Sequence, residues 1–343
     1  MAGKRRRSES KWSSVALGRL PHTMTRDYGG EDAEDKYTLA IRRNPADVYA
    51  LVGLGDVKRK KRQFTEASYY YQRCLMVDRN NRFALAGLGD TFRELGKVDK
   101  ALEVWLHYLS LSPHDYKIIT RVADGYKRKG DFRTAKRYFL RGLNEHPDDA
   151  YALMGLGDIY QREGNEEQAL KCFEEVIHKS PDSILARTSA GNIYRKRGQY
   201  ERAMRCYERA LEIDQNNSYA WHGKADCYRG LKDYSSAIDA WRKAINSGME
   251  PRIALTRIGD AYLSLEDLEQ AEYSYKEALA LGYDKYAYLG MARVYARRDQ
   301  PNKAFEILSM VVEKEPHDLR VATELTKLVK KHPQLSKAGA KTS

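Results

Sequence analysis

RFALAGLGDTFRELGKVDKALEVWLHYLSLSPHD, residues 82–115, returns in altered form as AYALMGLGDIYQREGNEEQALKCFEEVIHKSPDS, residues 150–183. The two stretches share a GLGD string, a later alanine, and an aromatic ring four residues beyond it. The alanine recurs every 34 residues at Ala33, Ala67, Ala101, Ala135, Ala169, Ala203, Ala237 and Ala271, and then after 33 at Ala304. Four residues on stand Tyr37, Tyr71, Trp105, Phe139, Phe173, Tyr207, Trp241, Tyr275 and Leu308. Such a period, kept through otherwise unrelated residues, means that one supersecondary unit is stacked against copies of itself.

With the alanine counted as position 20, eight complete units start at Val48, Arg82, Tyr116, Ala150, Ile184, Ser218, Arg252 and Lys285. Apolar or small residues fill positions 4, 7, 8 and 11, as in Leu85, Leu88, Gly89 and Phe92, which is one buried face of an α-helix. Positions 20, 24, 27 and 28 repeat the rule for a second helix, as in Ala203, Tyr207, Ala210 and Leu211. Gly96, Gly130, Gly164 and Gly198 divide the two helices, and Pro45, Pro113, Pro147, Pro181 and Pro316 close units behind them. The seventh copy lacks the turn glycine and is one residue short, and the eighth places Arg293 at position 9 and Pro301 at position 17. Each unit reads as a helix-turn-helix hairpin.

This pattern resembles the tetratricopeptide repeat (TPR) family over residues 31–332. The resemblance implies an all-α fold, a right-handed α-solenoid of TPR hairpins. The expected layout is a basic tail over 1–30, an N-terminal capping helix over 31–44, eight repeats over 48–318, a C-terminal capping helix over 319–331 and a second basic tail over 333–343. Small residues at 8 and 20 let the paired helices approach, and the aromatic at 24 fills the space beside them.

The net charge of +12 is unevenly spread: residues 1–11 carry +4, residues 330–343 carry +4, and the body between them carries the remaining +4. Lys4, Arg5, Arg6 and Arg7 are therefore a candidate polyanion-binding tail. No apolar run approaches the ~18 residues of a membrane span, and the basic start does not lead into a secretory core. The four cysteines form neither a CxxC pair nor a metal-ligand cluster, which points to a reducing compartment, and the chain is expected in the cytoplasm.

Function must reside in residues that the packing leaves over. Positions 2, 6, 9 and 13 lie opposite the buried face of the first helix, and the TPR resemblance places that stripe on the concave wall of a superhelix. Position 9 holds Asp56, Asp90, Asp124, Asp158, Asn192, Asp226 and Asp260 in seven consecutive units. Position 2 holds Tyr49, Phe83, Tyr151, Tyr219 and Tyr286. Position 6 holds Gly53, Gly87, Gly155, Gly223 and Gly290, each costing about 1 kcal/mol against Ala in a helix, so something is expected to approach the backbone there. Acceptor, bare patch and aromatic together make a candidate ladder for an extended peptide or partner protein. The competing expectation is structural: Asp56 with Lys60, Asp124 with Arg128 and Asp158 with Arg162 are spaced for intrahelical pairs, and the glycines would relieve crowding between neighbouring first helices.

The carboxylate clamp of TPR cochaperones does not fit, because Val52, Asp56 and Gly87 stand where it needs a base and two amides, although Lys117 and Arg121 match its last two positions. The GLGD strings lie inside helices and lack the context of a nucleotide loop. No catalytic arrangement, metal site or cofactor motif emerges. The expected function is a noncatalytic interaction scaffold for a protein partner; the alternative is a nucleic-acid-associated factor whose basic tails hold RNA or DNA while the array recruits protein.

Overall fold

A computed structural model describes residues 31–335, and among them there are eighteen helices and no strand. The first helices of the eight hairpins, here helices A, are Val48–Lys60, Arg82–Glu94, Tyr116–Arg128, Ala150–Arg162, Ile184–Lys196, Ser218–Gly230, Pro251–Ser264 and Lys285–Arg297. Their partners, helices B, are Phe64–Val77, Val98–Leu111, Phe132–Glu145, Glu166–Lys179, Tyr200–Ile213, Tyr234–Asn246, Leu268–Ala280 and Pro301–Lys314. Glu31–Arg43 precedes the set and Leu319–Lys331 follows it. The fold is an α-solenoid of helix-turn-helix hairpins.

The chain divides into two compact units at Asn165 and Glu166, in the turn of the fourth hairpin. The first unit ends on helix A Ala150–Arg162 and the second begins on helix B Glu166–Lys179. In the first, Leu51, Tyr71, Leu88, Trp105 and Ile119 are buried in one core. In the second, Trp241 and Ile258 centre one cluster, Tyr275 and Val294 another, and Leu308 with Val321 a third.

Local chemistry sets the helix ends. The residue before each helix A accepts a hydrogen bond from the first turn: Asp47, Asn81, Asp115, Asp149, Ser183, Asn217, Glu250 and Asp284 all do so, each cap being worth about 1 kcal/mol. Asp318 repeats the device for Leu319–Lys331. Pro301, out of pattern in the sequence, is the first residue of its helix B, where a missing N–H costs nothing.

Position 15 adopts left-handed backbone in all eight hairpins, at Arg62, Gly96, Gly130, Gly164, Gly198, Lys232, Glu266 and Asp299. The turn is thus a fixed geometry that the repeats keep whether or not glycine is present to make it easy.

Ion pairs tie neighbouring elements. Lys58 bridges Glu34 and Glu66 at 2.7 Å each, and hydrogen bonding to Glu34 and then Glu66 pushes its pKa up to about 12. Burial works against ionisation of Glu272, yet hydrogen bonds from Lys276, Tyr295 and Arg298 hold it down to about 2.

Lys232→Gly and Glu266→Gly should each stabilise the second unit by about 0.5–1 kcal/mol, because relief of left-handed strain outweighs glycine's entropy cost; thermal melts read this as raised midpoints. The Glu272 contribution is complete above the ordinary carboxyl value of 4.5 and is lost as pH falls toward 2. Glu272→Gln should therefore flatten the decline in melting midpoint of the second unit over that window.

Candidate protein-binding face

The aromatic ring at position 24 is the wedge around which each face is built. Tyr71 lies against Gly55 of its own helix A and Gly87 of the next; Tyr207 lies between Gly191 and Gly223, and Tyr275 between Gly259 and Gly290. A Cβ on Gly55 would fall 2.7 Å from the Tyr71 ring, and one on Gly191 would fall 2.9 Å from Tyr207. Gly53 and Gly155 leave the same room for Tyr37 and Phe139. What approaches the position-6 backbone is therefore the preceding hairpin's own ring. The glycines serve packing.

The residue at position 6 follows the ring. Gly follows Tyr37, Tyr71, Phe139, Tyr207 and Tyr275 and small Ser189 follows Phe173, whereas Arg121 follows Trp105 and Arg257 follows Trp241.

Where position 24 is tyrosine, its hydroxyl donates to position 9: Tyr71 to Asp56 at 2.6 Å, Tyr207 to Asn192 at 2.8 Å and Tyr275 to Asp260 at 2.8 Å. Burial, then the adjacent Asp56, raises the Tyr71 pKa, and burial also raises Asp260 against the pull of Tyr275 and nearby arginines. Where the ring is Trp or Phe, basic side chains take the acid instead. Arg121 Nε lies 3.2 Å from Asp90, Arg128 Nε 2.8 Å from Asp124, Lys127 Nζ 3.1 Å from Asp158 and Arg195 Nη1 2.8 Å from Asp226. Of the three intrahelical pairs expected from spacing, only Asp124 with Arg128 forms as such. Asp56 meets Arg59 at 3.6 Å, and Arg162 lies over the Phe132 ring.

Exposure separates the ladder. The side chains of Asp90, Asp124 and Asp226 are 9, 5 and 4% exposed, whereas that of Asp158 is 46% exposed. The position-2 aromatics stand outward: Tyr49, Phe83, Tyr151 and Tyr286 are 42–52% exposed and Tyr219 is 81% exposed. Leu185 and Ile253 occupy the same position and are exposed too, a continuation hidden by reading that position for aromatics alone. The first unit thus presents Tyr49, Phe83 and Tyr151, and the second Leu185, Tyr219, Ile253 and Tyr286. Lys117 interrupts the row of the first unit between Phe83 and Tyr151; exposed apolar side chains recurring at one helical position mark a candidate interaction surface.

Models of the tetratricopeptide repeat match residues 122–184, 218–247, 254–281 and 286–318, and a model described as TPR repeat matches 191–228. The chain belongs to the tetratricopeptide repeat family. No curated protein matches it significantly. Among solved structures it is similar to the C-terminal part of a TPR repeat-containing protein from Cytophaga hutchinsonii, with TM-score 0.58 and 17% identity over 70% of this chain and 99% of that one. It is also similar to the APC/C hetero-tetramer Cut9-Hcn1, with TM-score 0.55 and 17% identity over 86% of this chain and 58% of that one. PilW, a type IV pilus biogenesis factor, gives TM-score 0.55 and 18% identity over 61% and 98% of the two chains. These likenesses show the shared TPR fold.

Among the described residues no helix is long and apolar enough to cross a membrane, and no group of His, Cys, Asp and Glu could hold a metal ion. All four cysteines are free thiols, and burial pushes Cys74 and Cys172 up to about 11 and Cys227 up to about 12. Lys4, Arg5, Arg6 and Arg7 lie outside the described residues.

Gly223→Ala should destabilise the second unit: overpacking against Tyr207 costs about 1–3 kcal/mol, more than the ~1 kcal/mol that Ala gains over Gly in a helix interior. Tyr207→Phe should cost about 1 kcal/mol by stranding the Asn192 carbonyl. Denaturant melts of both variants measure these losses.

Proposed function

We propose that the chain is a noncatalytic scaffold that binds protein partners along the helix A faces of its two units. The observation that carries this reading is the outward row at position 2, Tyr49, Phe83 and Tyr151 in the first unit and Leu185, Tyr219, Ile253 and Tyr286 in the second. Large side chains of this type supply most of the binding energy at protein interfaces when a partner covers them.

The position-9 residues Asp56, Asp90, Asp124, Asp158, Asn192, Asp226 and Asp260 have a second part in it. Buried Asp124 orients Arg128, which reaches the surface, and half-exposed Asp158 is placed to accept a partner's N–H beside Lys127. The reading also rests on the fold, since a stack of hairpins presents a long ordered surface rather than an enclosed cavity. The cytoplasm is the proposed compartment, and free, mostly buried cysteines suit its reducing conditions.

Combined Phe83→Ala and Tyr151→Ala in the first unit, or Leu185→Ala and Tyr219→Ala in the second, should cut recovery of cross-linked protein partners about tenfold, since each lost anchor is worth more than ~1 kcal/mol at an interface. Melting of each unit should shift by no more than about 0.5 kcal/mol, as expected for surface positions. Unchanged partner recovery from both double variants refutes the reading.

A further inference from the structure

The two tryptophan repeats carry one constellation at matching positions. In the first unit Arg59, Arg93 and Arg121 surround buried Asp90; in the second Arg195, Arg229 and Arg257 surround buried Asp226, every member displaced by the same four repeats. Position 6 after the Trp ring supplies one arginine, and position 12 of two successive helices A supplies the others. Arg195, Arg229 and Arg257 approach the Asp226 carboxylate at 2.8, 3.2 and 3.7 Å.

The copies differ in what neutralises them. In the first, Arg59 also meets Asp56 at 3.6 Å and Arg93 meets Glu94 at 2.9 Å, so three guanidinium groups face three carboxylates. In the second, the positions of Asp56 and Glu94 are held by Asn192 and Gly230, and that of Ala86 by His222. Asn192 is occupied by the Tyr207 hydroxyl. Asp260, which accepts from Tyr275, also acts on Arg257 and Arg229, so three guanidinium groups face two carboxylates. Arg293, which acts on Asp260, is itself paired with Glu324. The second cluster therefore retains uncompensated positive charge.

Its hydrogen-bonding capacity is also unspent. Three guanidinium groups offer about fifteen N–H donors, and one carboxylate has about four lone-pair sites. Arg195 Nε, Arg257 Nε and His222 Nδ1 are buried without a hydrogen-bond partner, as is Arg59 Nε alone among the arginines of the first copy. The Arg229 and Arg257 side chains are 43 and 35% exposed, within reach of a ligand, and Tyr219 stands 81% exposed three residues before His222 on the same helix face. This is not the cochaperone clamp, because Thr188, Gly223 and Ile253 hold three of the positions that clamp needs.

We propose that Arg195, Arg229, Arg257 and Tyr219 form a site for an acidic segment of a protein partner, whose carboxylates take the free guanidinium donors while a flanking apolar residue covers Tyr219. The proposal rests on the protein-scaffold reading above. Planar guanidinium groups match carboxylates in bidentate geometry and stay charged at any physiological pH.

Fluorescence anisotropy of the full chain with a labelled, C-terminally amidated peptide of alternating Glu and Leu tests it at physiological salt. The peptide should bind saturably, and the same peptide with Gln for Glu should not. Arg257→Gln should weaken binding about tenfold, as loss of one charge-assisted contact implies, whereas Arg121→Gln, the same change in the neutralised copy, should leave it unaltered. Asp226→Asn removes the competing carboxylate and should tighten binding severalfold, a direction that damage to the fold cannot produce. Equal binding of the Gln peptide, indifference to Arg257→Gln, or no gain from Asp226→Asn overturns the proposal. So does tighter, Arg257-dependent binding of a uridine oligonucleotide. If the acidic peptide fails while Leu185→Ala with Tyr219→Ala still lowers partner recovery, the acidic site is wrong and the scaffold reading stands; if both fail, both fall.

Discussion

Within each unit, neighbouring hairpins are held together by large rings wedged between helices, and where the ring is Tyr71, Tyr207 or Tyr275 it sits between bare stretches of two helix backbones. Tyr71, Tyr207 and Tyr275 each press against a glycine at position 8 of their own helix A and a glycine at position 6 of the following one. The small surfaces bring the helices close enough for dispersion contacts over whole ring faces, which accumulate although each is weak. The glycines forgo helix propensity, a loss of about 1 kcal/mol at each position, and burial of a large ring offsets it. All seven of the largest fully buried aromatic side chains, Trp105, Trp241, Tyr71, Tyr207, Tyr275, Phe139 and Phe173, occupy position 24.

The polar chemistry of the exposed face follows from which ring is present. A tyrosine brings a hydroxyl that cannot be left unsatisfied in the interior, and the position-9 side chain accepts from it. Tryptophan offers no such hydroxyl; arginine enters at position 6 of the next helix, and the position-9 acid turns to guanidinium groups. The acid ladder that looks uniform in sequence therefore performs two tasks, satisfying a buried tyrosine in some repeats and holding arginines in others.

Much of the fold was legible because a repeat multiplies a weak signal. One alanine with a ring four residues later means little, but the same pair at a fixed period locates the helices, and seven of the eight helices A begin at the residue that the period assigns. Departures from the pattern were harder to judge. Pro301 departs from the pattern and is a favourable first residue of a helix; Glu266 lacks glycine's freedom and takes the same left-handed turn. The candidate face was read in part. The outward stance of Tyr49, Phe83, Tyr151, Tyr219 and Tyr286 followed from helical geometry, while Leu185 and Ile253 escaped a search for aromatics, and the partners of the acids escaped because they come from neighbouring hairpins.

By itself, the sequence determined the helices, their pairing into hairpins and the outward stance of position 2, since these depend on periodicity within tens of residues; positions 6 and 9, expected on the same open stripe, are mostly covered. Only the tertiary structure decided what lies against Gly87 and Gly223, which base answers Asp90 or Asp226, and where guanidinium donors remain unspent. Those contacts join residues about one repeat apart, and their outcome turns on ring shape and distances of a few ångströms, which spacing along a chain does not encode.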